Sequence, residues 1–188
     1  MKLSEKILIA ALALAVLNTG YLSYRFIALR TGVAAPGTGL CSLTESVDCD
    51  RVLLTREARA FYFPNALLGF GFFFGCLVWW LAGKRLPETY RKHLSLTLTV
   101  WLGVAMLMTF WFFWLLIHLP HFCPLCPWNH LLTYIAFGAS LKTHLSAPHP
   151  SKEKLSAPKL AGLIATGTAP FFIILAIWYI AFSGGLIK

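Results

Sequence analysis

The chain has 188 residues, 58% of them hydrophobic, with a mean hydropathy of +0.70 and a formal charge of +9. Hydropathy this high excludes an ordinary soluble domain and points to a one-domain integral membrane protein. The sixteen Lys and Arg fall in short clusters between apolar runs and form no basic face or stripe, so the charge argues for orientation in a bilayer and against nucleic-acid binding.

Residues 7–29 form the first apolar run, interrupted by Asn18, Thr19, Ser23 and Arg25. Lys2 and Lys6 before a short apolar core also have the form of a secretory signal. The run continues past any cleavage point, however, and Tyr21, Tyr24 and Arg25 suit interfacial anchors of an uncleaved helix. Residues 30–60 are polar and carry Gly32, Pro36, Gly37 and Gly39, then Cys41, Cys49, Arg51, Arg56 and Arg59. They read as a loop with a short helix around 50–59.

Three further spans are predicted at about 62–83, 94–118 and 124–141, and a fifth at about 160–183, each near the roughly 20 residues a bilayer requires. Short polar connections favour an antiparallel bundle. The stretch from Lys142 to Lys159, with Pro148 and Pro150, reads as a linker. The expected fold is all-α, with the catalytic bundle over about 7–141 and the fifth helix beyond it.

Ten of the sixteen basic residues fall on one side of these spans: Lys2, Lys6, Lys84, Arg85, Arg91, Lys92, Lys142, Lys152, Lys154 and Lys159. The other six are Arg25, Arg30, Arg51, Arg56, Arg59 and Lys188. The richer side is expected in the cytoplasm, together with the N-terminus. Cys41, Cys49, Cys123 and Cys126 then share the outer face, in a periplasm or lumen that permits disulfides.

Cys123-Pro124-Leu125-Cys126-Pro127 is a C-x-x-C where an apolar run restarts. Proline is favoured at the first helical position, so Pro127 predicts Cys126 as the N-cap, its sulfur near free backbone N–H groups that favour thiolate. Disulfide exchange requires one thiol pair to travel while another is held, and the loop pair Cys41/Cys49 with the helix-start pair Cys123/Cys126 suits that need. The alternative is two structural clips, although a C-x-x-C ring closes too little chain to stabilise much. Cys76, among Phe74, Gly75, Leu77 and Trp79, reads as a small buried hydrophobe and accounts for the odd count.

His118, His121 and His130 crowd the same C-x-x-C, a ligand set that suits zinc or copper(I). Three nearby prolines stiffen the backbone and no standard zinc spacing is present, so no metal ligand is assigned. His130, a turn inside the membrane, needs a polar partner there. Asn65, after Pro64, either caps its own helix or donates to one carbonyl of a quinone while His130 serves the other. The aromatics from Phe72 to Phe74 and from Trp111 to Trp114 either line a flat-ring pocket or face lipid.

The order Cys41-x7-Cys49-Asp50-Arg51-Val52-Leu53, Thr55, Pro64-Asn65-Ala66-Leu67-Leu68-Gly69 and Cys123-Pro124-Leu125-Cys126 resembles the vitamin K epoxide reductase family, over about residues 8–141. The resemblance implies a four-helix transmembrane bundle around a quinone, ubiquinone or a menaquinone of vitamin K type, with the fifth helix of bacterial homologues. It implies Cys126 as the thiolate facing quinone, Cys123 as the partner of Cys49, and Cys41 as the contact for a reductant. Thr55, Asn65 and His130 fall where polar residues near the quinone are expected, His130 replacing the tyrosine of some relatives.

Some homologues carry a fused thioredoxin-like domain; the resemblance implies instead a separate thioredoxin-fold thiol oxidase for this chain. The expected activity is that of a thiol:quinone oxidoreductase making disulfides at a bacterial inner membrane. The alternatives are a vitamin K-like quinone or epoxide reductase of the same fold and, less favoured, a metal-binding membrane protein.

Overall fold

The computed structural model describes residues 2–60, 63–85 and 88–146, and single positions further on at 165, 168–169, 171–173, 175–177 and 179–181. Helix α1 spans Leu3–Arg30, α2 Cys49–Leu54, α3 Asn65–Gly83, α4 Glu88–Ile117 and α5 Leu125–Leu145. A two-stranded antiparallel ribbon, β1 (Arg59–Ala60) and β2 (Phe63–Pro64), joins α2 to α3. The short helix expected around 50–59 thus ends at Leu54, where Thr55 turns extended at the C-cap, and a ribbon follows it.

The four long helices close into a bundle in which α1 and α4 each pack between α3 and α5. At 1.5 Å per residue, the 28 residues of α1 run about 42 Å and the 30 of α4 about 45 Å, enough to cross a ~30 Å hydrocarbon layer. Helices α1, α3 and residues 91–117 of α4 are long and apolar enough to span a membrane. Helix α5 has 21 residues but carries Asn129, His130, Thr133, Ser140 and Thr143.

Hydroxyls on α5 are satisfied within the bundle. Ser140 and Thr99 share a hydrogen bond at 2.8 Å, Ser95 Oγ lies 3.1 Å from His144 Nδ1, and Thr143 donates to Ser4 Oγ at 3.0 Å. Such cross-helix bonds each contribute about 0.6 kcal/mol in a membrane bundle, and they explain how a comparatively polar helix is held among apolar ones.

Close approach is set by small residues. A Cβ on Gly83 would lie 2.7 Å from Leu94 Cδ1, so α3 and α4 meet there only because residue 83 has no side chain. One core gathers Leu8, Leu12, Trp79, Leu94, Leu98, Leu102 and Leu132 around the buried thiol of Cys76, which is a free cysteine. A second core gathers Leu22, Phe26, Val52, Leu53 and Leu116 around Cys41, Cys49 and Cys123.

The outward face of α4 answers the question about its aromatics. Phe110, Trp111 and Trp114 are more than half exposed on the bundle surface, the position of residues that face lipid. Helix α5 continues through Leu145, beyond the predicted end at 141, so Lys142 and His144 occupy its last turn and complement the helix dipole. The rest of the linker lies outside the described residues, and so does much of the fifth span.

Candidate functional site

The loop between α1 and α2 is built around a buried ion pair. Arg25, inside α1, reaches Asp50 through Nη2 at 2.6 Å and Nε at 3.1 Å, and Asp50 has no exposed surface. The Asp50 carboxylate also accepts the N–H groups of Gly37 at 3.1 Å and Gly39 at 3.0 Å. Gly37 has a φ of +82°, and a Cβ on Gly39 would sit 2.8 Å from Asp50 Oδ1, so glycine is required at both positions. Burial acts to raise the Asp50 pKa, but the hydrogen bond and charge of Arg25 with the loop N–H groups outweigh it and hold the carboxyl below its ordinary value.

Cys41 and Cys49 are joined as a disulfide, and both are buried. Cys49 opens α2, where Asp48 is the N-cap and accepts from Asp50 N at 2.9 Å and Arg51 N at 3.3 Å. Tyr21 ties the loop back to α1 by accepting the Leu40 N–H at 2.7 Å. The segment expected to travel is therefore anchored at both ends of the disulfide.

The two cysteine pairs are joined by backbone. Asp48 N–H donates to Phe122 O at 3.1 Å and Phe122 N–H donates to Ser46 O at 2.8 Å, in a parallel bridge between Val47 and Phe122. Asp48 precedes Cys49 and Phe122 precedes Cys123, so the bridge fixes these two cysteines side by side in one core, against which Cys126 packs.

Helix α5 begins two residues earlier than Pro127 predicts. Pro124 is the N-cap, with φ −65° and ψ −27°, and Cys126 is the second helical residue. Pro127 still fits, because N–H groups in the first turn have no helical partner to lose. The consequence is an exchange of roles at the helix end: the sulfur facing the first-turn N–H groups is that of Cys123. A hydrogen bond from Cys126 holds the Cys123 thiol below its ordinary pKa; burial opposes this, and the N–H groups of Cys126 and Leu125 add to it. Cys123 and Cys126 are free thiols, the first fully buried and the second half-buried.

Of the polar candidates, Thr55 donates its hydroxyl to Val52 O at 2.8 Å and serves its own helix end. Asn65 opens α3, its side chain donating to Glu57 O at 3.0 Å and its N–H to Ala58 O at 2.8 Å. It is the first residue of α3, not its cap, which is Pro64. Asn65 Oδ1 is buried without a partner, and so is His130 Nδ1. These are two of five such side-chain atoms among the described residues. Ala66 and Leu67, next to Asn65, pack on the same core as Cys126, and the Phe113 ring stands edge-on to His130 at 6.3 Å.

Sequence reasoning missed Asn18 and Asn129 as a pair. Asn18, on α1, donates to Leu125 O at 3.0 Å and lies 3.5 Å from Asn129 Oδ1, tying the start of α5 to α1. The signal was an asparagine in an apolar run, which in a membrane requires a partner. The other histidines are engaged by backbone: His118 Nδ1 with Trp114 O at 2.7 Å and His121 Nδ1 with Glu45 O at 2.9 Å. Among the described residues, no group of three or more His, Cys, Asp or Glu is placed to hold a metal ion.

Residues 6–141 match the model of the vitamin K epoxide reductase family. The chain belongs to the vitamin K epoxide reductase family. No curated protein and no solved structure matches it. A vitamin K epoxide reductase family member with these apolar helices is an integral membrane oxidoreductase of quinone or epoxide reductase type. Its family generally uses quinone or vitamin K and works with thioredoxin-like proteins.

The residues present fit a quinone. Quinone carbonyl oxygens only accept, so the buried, unpaired His130 Nδ1 suits one of them when it carries the ring proton, while Asn65 Oδ1, whose amide nitrogen donates to Glu57 O, is an acceptor that suits a hydroxyl of the quinol.

Proposed function

We propose that this protein is a thiol:quinone oxidoreductase that makes disulfides in exported proteins, taking two electrons from a separate thioredoxin-fold oxidase. The observation that supports the reading is the backbone bridge between the residues preceding Cys49 and Cys123, which brings the two cysteine pairs into one core. The partner's dithiol attacks the Cys41–Cys49 disulfide and leaves oxidised, with Cys41 and Cys49 as thiols.

Cys49 thiolate then attacks Cys123 Sγ of a Cys123–Cys126 disulfide, and Cys126 leaves as thiolate. Cys41 attacks Cys49 Sγ, restoring the first disulfide and releasing Cys123. A leaving thiol of low pKa departs faster, so the donors at the start of α5 speed this last release. The net transfer is one electron pair from the loop pair to the helix pair.

Quinone, when bound, supplies the acceptor for two electrons and two protons from the Cys123/Cys126 dithiol. His130 Nδ1 would donate to one of its oxygens, Asn65 Oδ1 would receive a hydroxyl formed on reduction, Cys126 would face the ring, and Phe113 borders His130. Thr55 supports the end of α2 behind the loop pair.

The test is anaerobic oxidation of a reduced thioredoxin-fold partner by purified protein, with and without quinone. Quinone-dependent turnover that disappears in Cys126→Ala is expected; partner oxidation at an unchanged rate with quinone removed would overturn the proposal. Trapping the partner as a mixed disulfide in a variant retaining Cys41 as its sole reactive cysteine identifies what delivers the electrons.

A further inference from the structure

Asn18 stands in the apolar run of α1, yet its side chain is aimed at the start of α5. Its Nδ2 donates to Leu125 O at 3.0 Å and lies 3.5 Å from Asn129 Oδ1. Leu125 opens α5, so its carbonyl already accepts the helical N–H four residues on. The bond from Asn18 is therefore additional to what the helix requires of that oxygen.

The amide that receives this bond is the one that faces Cys123. Leu125 C=O and Cys126 N–H are the two ends of one planar peptide unit. Cys126 N–H points back at residue 123, bonding Cys123 O at 3.2 Å, and it is among the donors to the Cys123 sulfur. Cys123 has no exposed surface, so a thiolate there depends on such donors and not on water. A hydrogen bond accepted at the oxygen of an amide polarises the unit and strengthens the bond its N–H donates, by about 10–30%.

We propose that Asn18 is a positioning residue for the redox pair: by donating to Leu125 O it orients and polarises the Leu125–Cys126 amide, which presents its N–H to the Cys123 sulfur. The proposal rests on the reading of Cys123 and Cys126 as a reversible redox pair. Its consequence is that Cys123 departs more readily when Cys41 releases it, because a stabilised thiolate is the better leaving group.

The experiment uses full-length Cys41→Ser/Cys49→Ser protein in detergent, equilibrated in glutathione buffers, quenched in acid and mapped for the Cys123–Cys126 disulfide. Two electrons and two protons pass from the Cys123/Cys126 dithiol, which closes as a disulfide, to glutathione disulfide, which opens to two glutathione thiols. Asn18→Leu in this background nearly keeps the side-chain volume and removes the donor. It is expected to raise the equilibrium constant for oxidation about two- to fourfold near pH 9, where Cys123 is thiolate, because the reduced form loses stabilisation. Near pH 5, where both sulfurs are thiols, the change should be less than about 1.5-fold. Loss of a tie that merely held α5 in place would act equally at both pH values.

In the core around Cys123 the other groups able to titrate are Cys126 of α5 and Tyr21 of α1. Beside that core, Asp48 pairs with Arg51 and Asp50 with Arg25. His121 and His130 are present in every variant, so their own ionisation cancels in the comparison. Asn18→Gln keeps an amide donor and should restore part of the wild-type equilibrium. Ser140→Ala removes the cross-helix bond to Thr99, about four turns along α5 from Cys126, and should match wild type at both pH values.

Should Asn18→Leu fold poorly, Asn18→Ala removes the same donor and carries the same expectation. A shift of equal size near pH 9 and pH 5, or none at either, overturns the proposal and leaves the redox reading standing. Failure of Cys123/Cys126 to equilibrate with glutathione before any change at Asn18 overturns that reading and the proposal with it.

Discussion

Asp50 shows how one carboxylate holds the loop that carries the Cys41–Cys49 disulfide. Its side chain is fully buried against an Arg25 side chain only 10% exposed, and breaking such a pair leaves an uncompensated charge in the protein. Asp50→Asn should destabilise the fold by about 3 kcal/mol, read by unfolding in mixed detergent micelles. Arg25→Leu/Asp50→Leu should recover part of that loss, but not all, because the Gly37 and Gly39 N–H groups lose their acceptor. The pH dependence has a definite sign. The folded-state pKa of Asp50 lies below its unfolded value, so the carboxylate's stabilisation is fully present above about pH 4 and fades as pH falls through the lower, folded value. Loop stability measured between pH 7 and pH 2 should fall in acid in the wild type, and Asp50→Asn should show a smaller acid loss from a lower plateau.

At the scale of elements, the start of α5 and the approach to α2 act as one unit, although 75 residues lie between Cys49 and Leu125. Phe122→Pro removes the N–H that donates to Ser46 O and keeps the carbonyl that accepts from Asp48. Single-turnover transfer from the Cys41/Cys49 dithiol to the Cys123–Cys126 disulfide should slow by about 10- to 100-fold, since a misplacement near 1 Å costs that much. Oxidation of the Cys123/Cys126 dithiol by quinone, followed in the same variant, should stay near wild type. Unequal effects on the two half-reactions separate a loosened junction from general damage to the helix.

This unit also marks where sequence reading reached its end. Local signals carried the four long helices, the C-x-x-C at a helix start and the polar loop, since hydropathy and proline placement act over a few residues. The start of α5 was misplaced by two residues because Pro124 and Pro127 both suit the first turn. Asn65 and His130 were legible as polar residues in apolar surroundings, but that each keeps a buried atom unpaired depends on how α3 and α5 pack. The Arg25–Asp50 pair, the Asn18 bond to Leu125 and the bridge from Val47 to Phe122 join distant segments, which no local periodicity can announce.

For the whole molecule, the bundle separates its charges by end. The cysteine end carries Arg30, Arg51, Arg56 and Arg59 beside a loop that holds Asp48 and Asp50, while the opposite end gathers Lys2, Lys84 and Arg91 around one cavity. Lys2 bonds to Ser146 O, which places the start of α1 and the end of α5 together at that second end. The excess of basic residues there predicts a cytoplasmic position for that end and an outward one for the cysteine pairs, where disulfides persist. In a background with the five native cysteines changed to serine, Thr44→Cys and Ser146→Cys place one exposed thiol at each end. A membrane-impermeant maleimide added to intact cells with a permeable outer envelope should label position 44 and leave 146 unlabelled until the membrane is broken. Labelling of 146 first would reverse the orientation and put the disulfide chemistry in a reducing compartment, where a thiol oxidase could not hold its pairs oxidised.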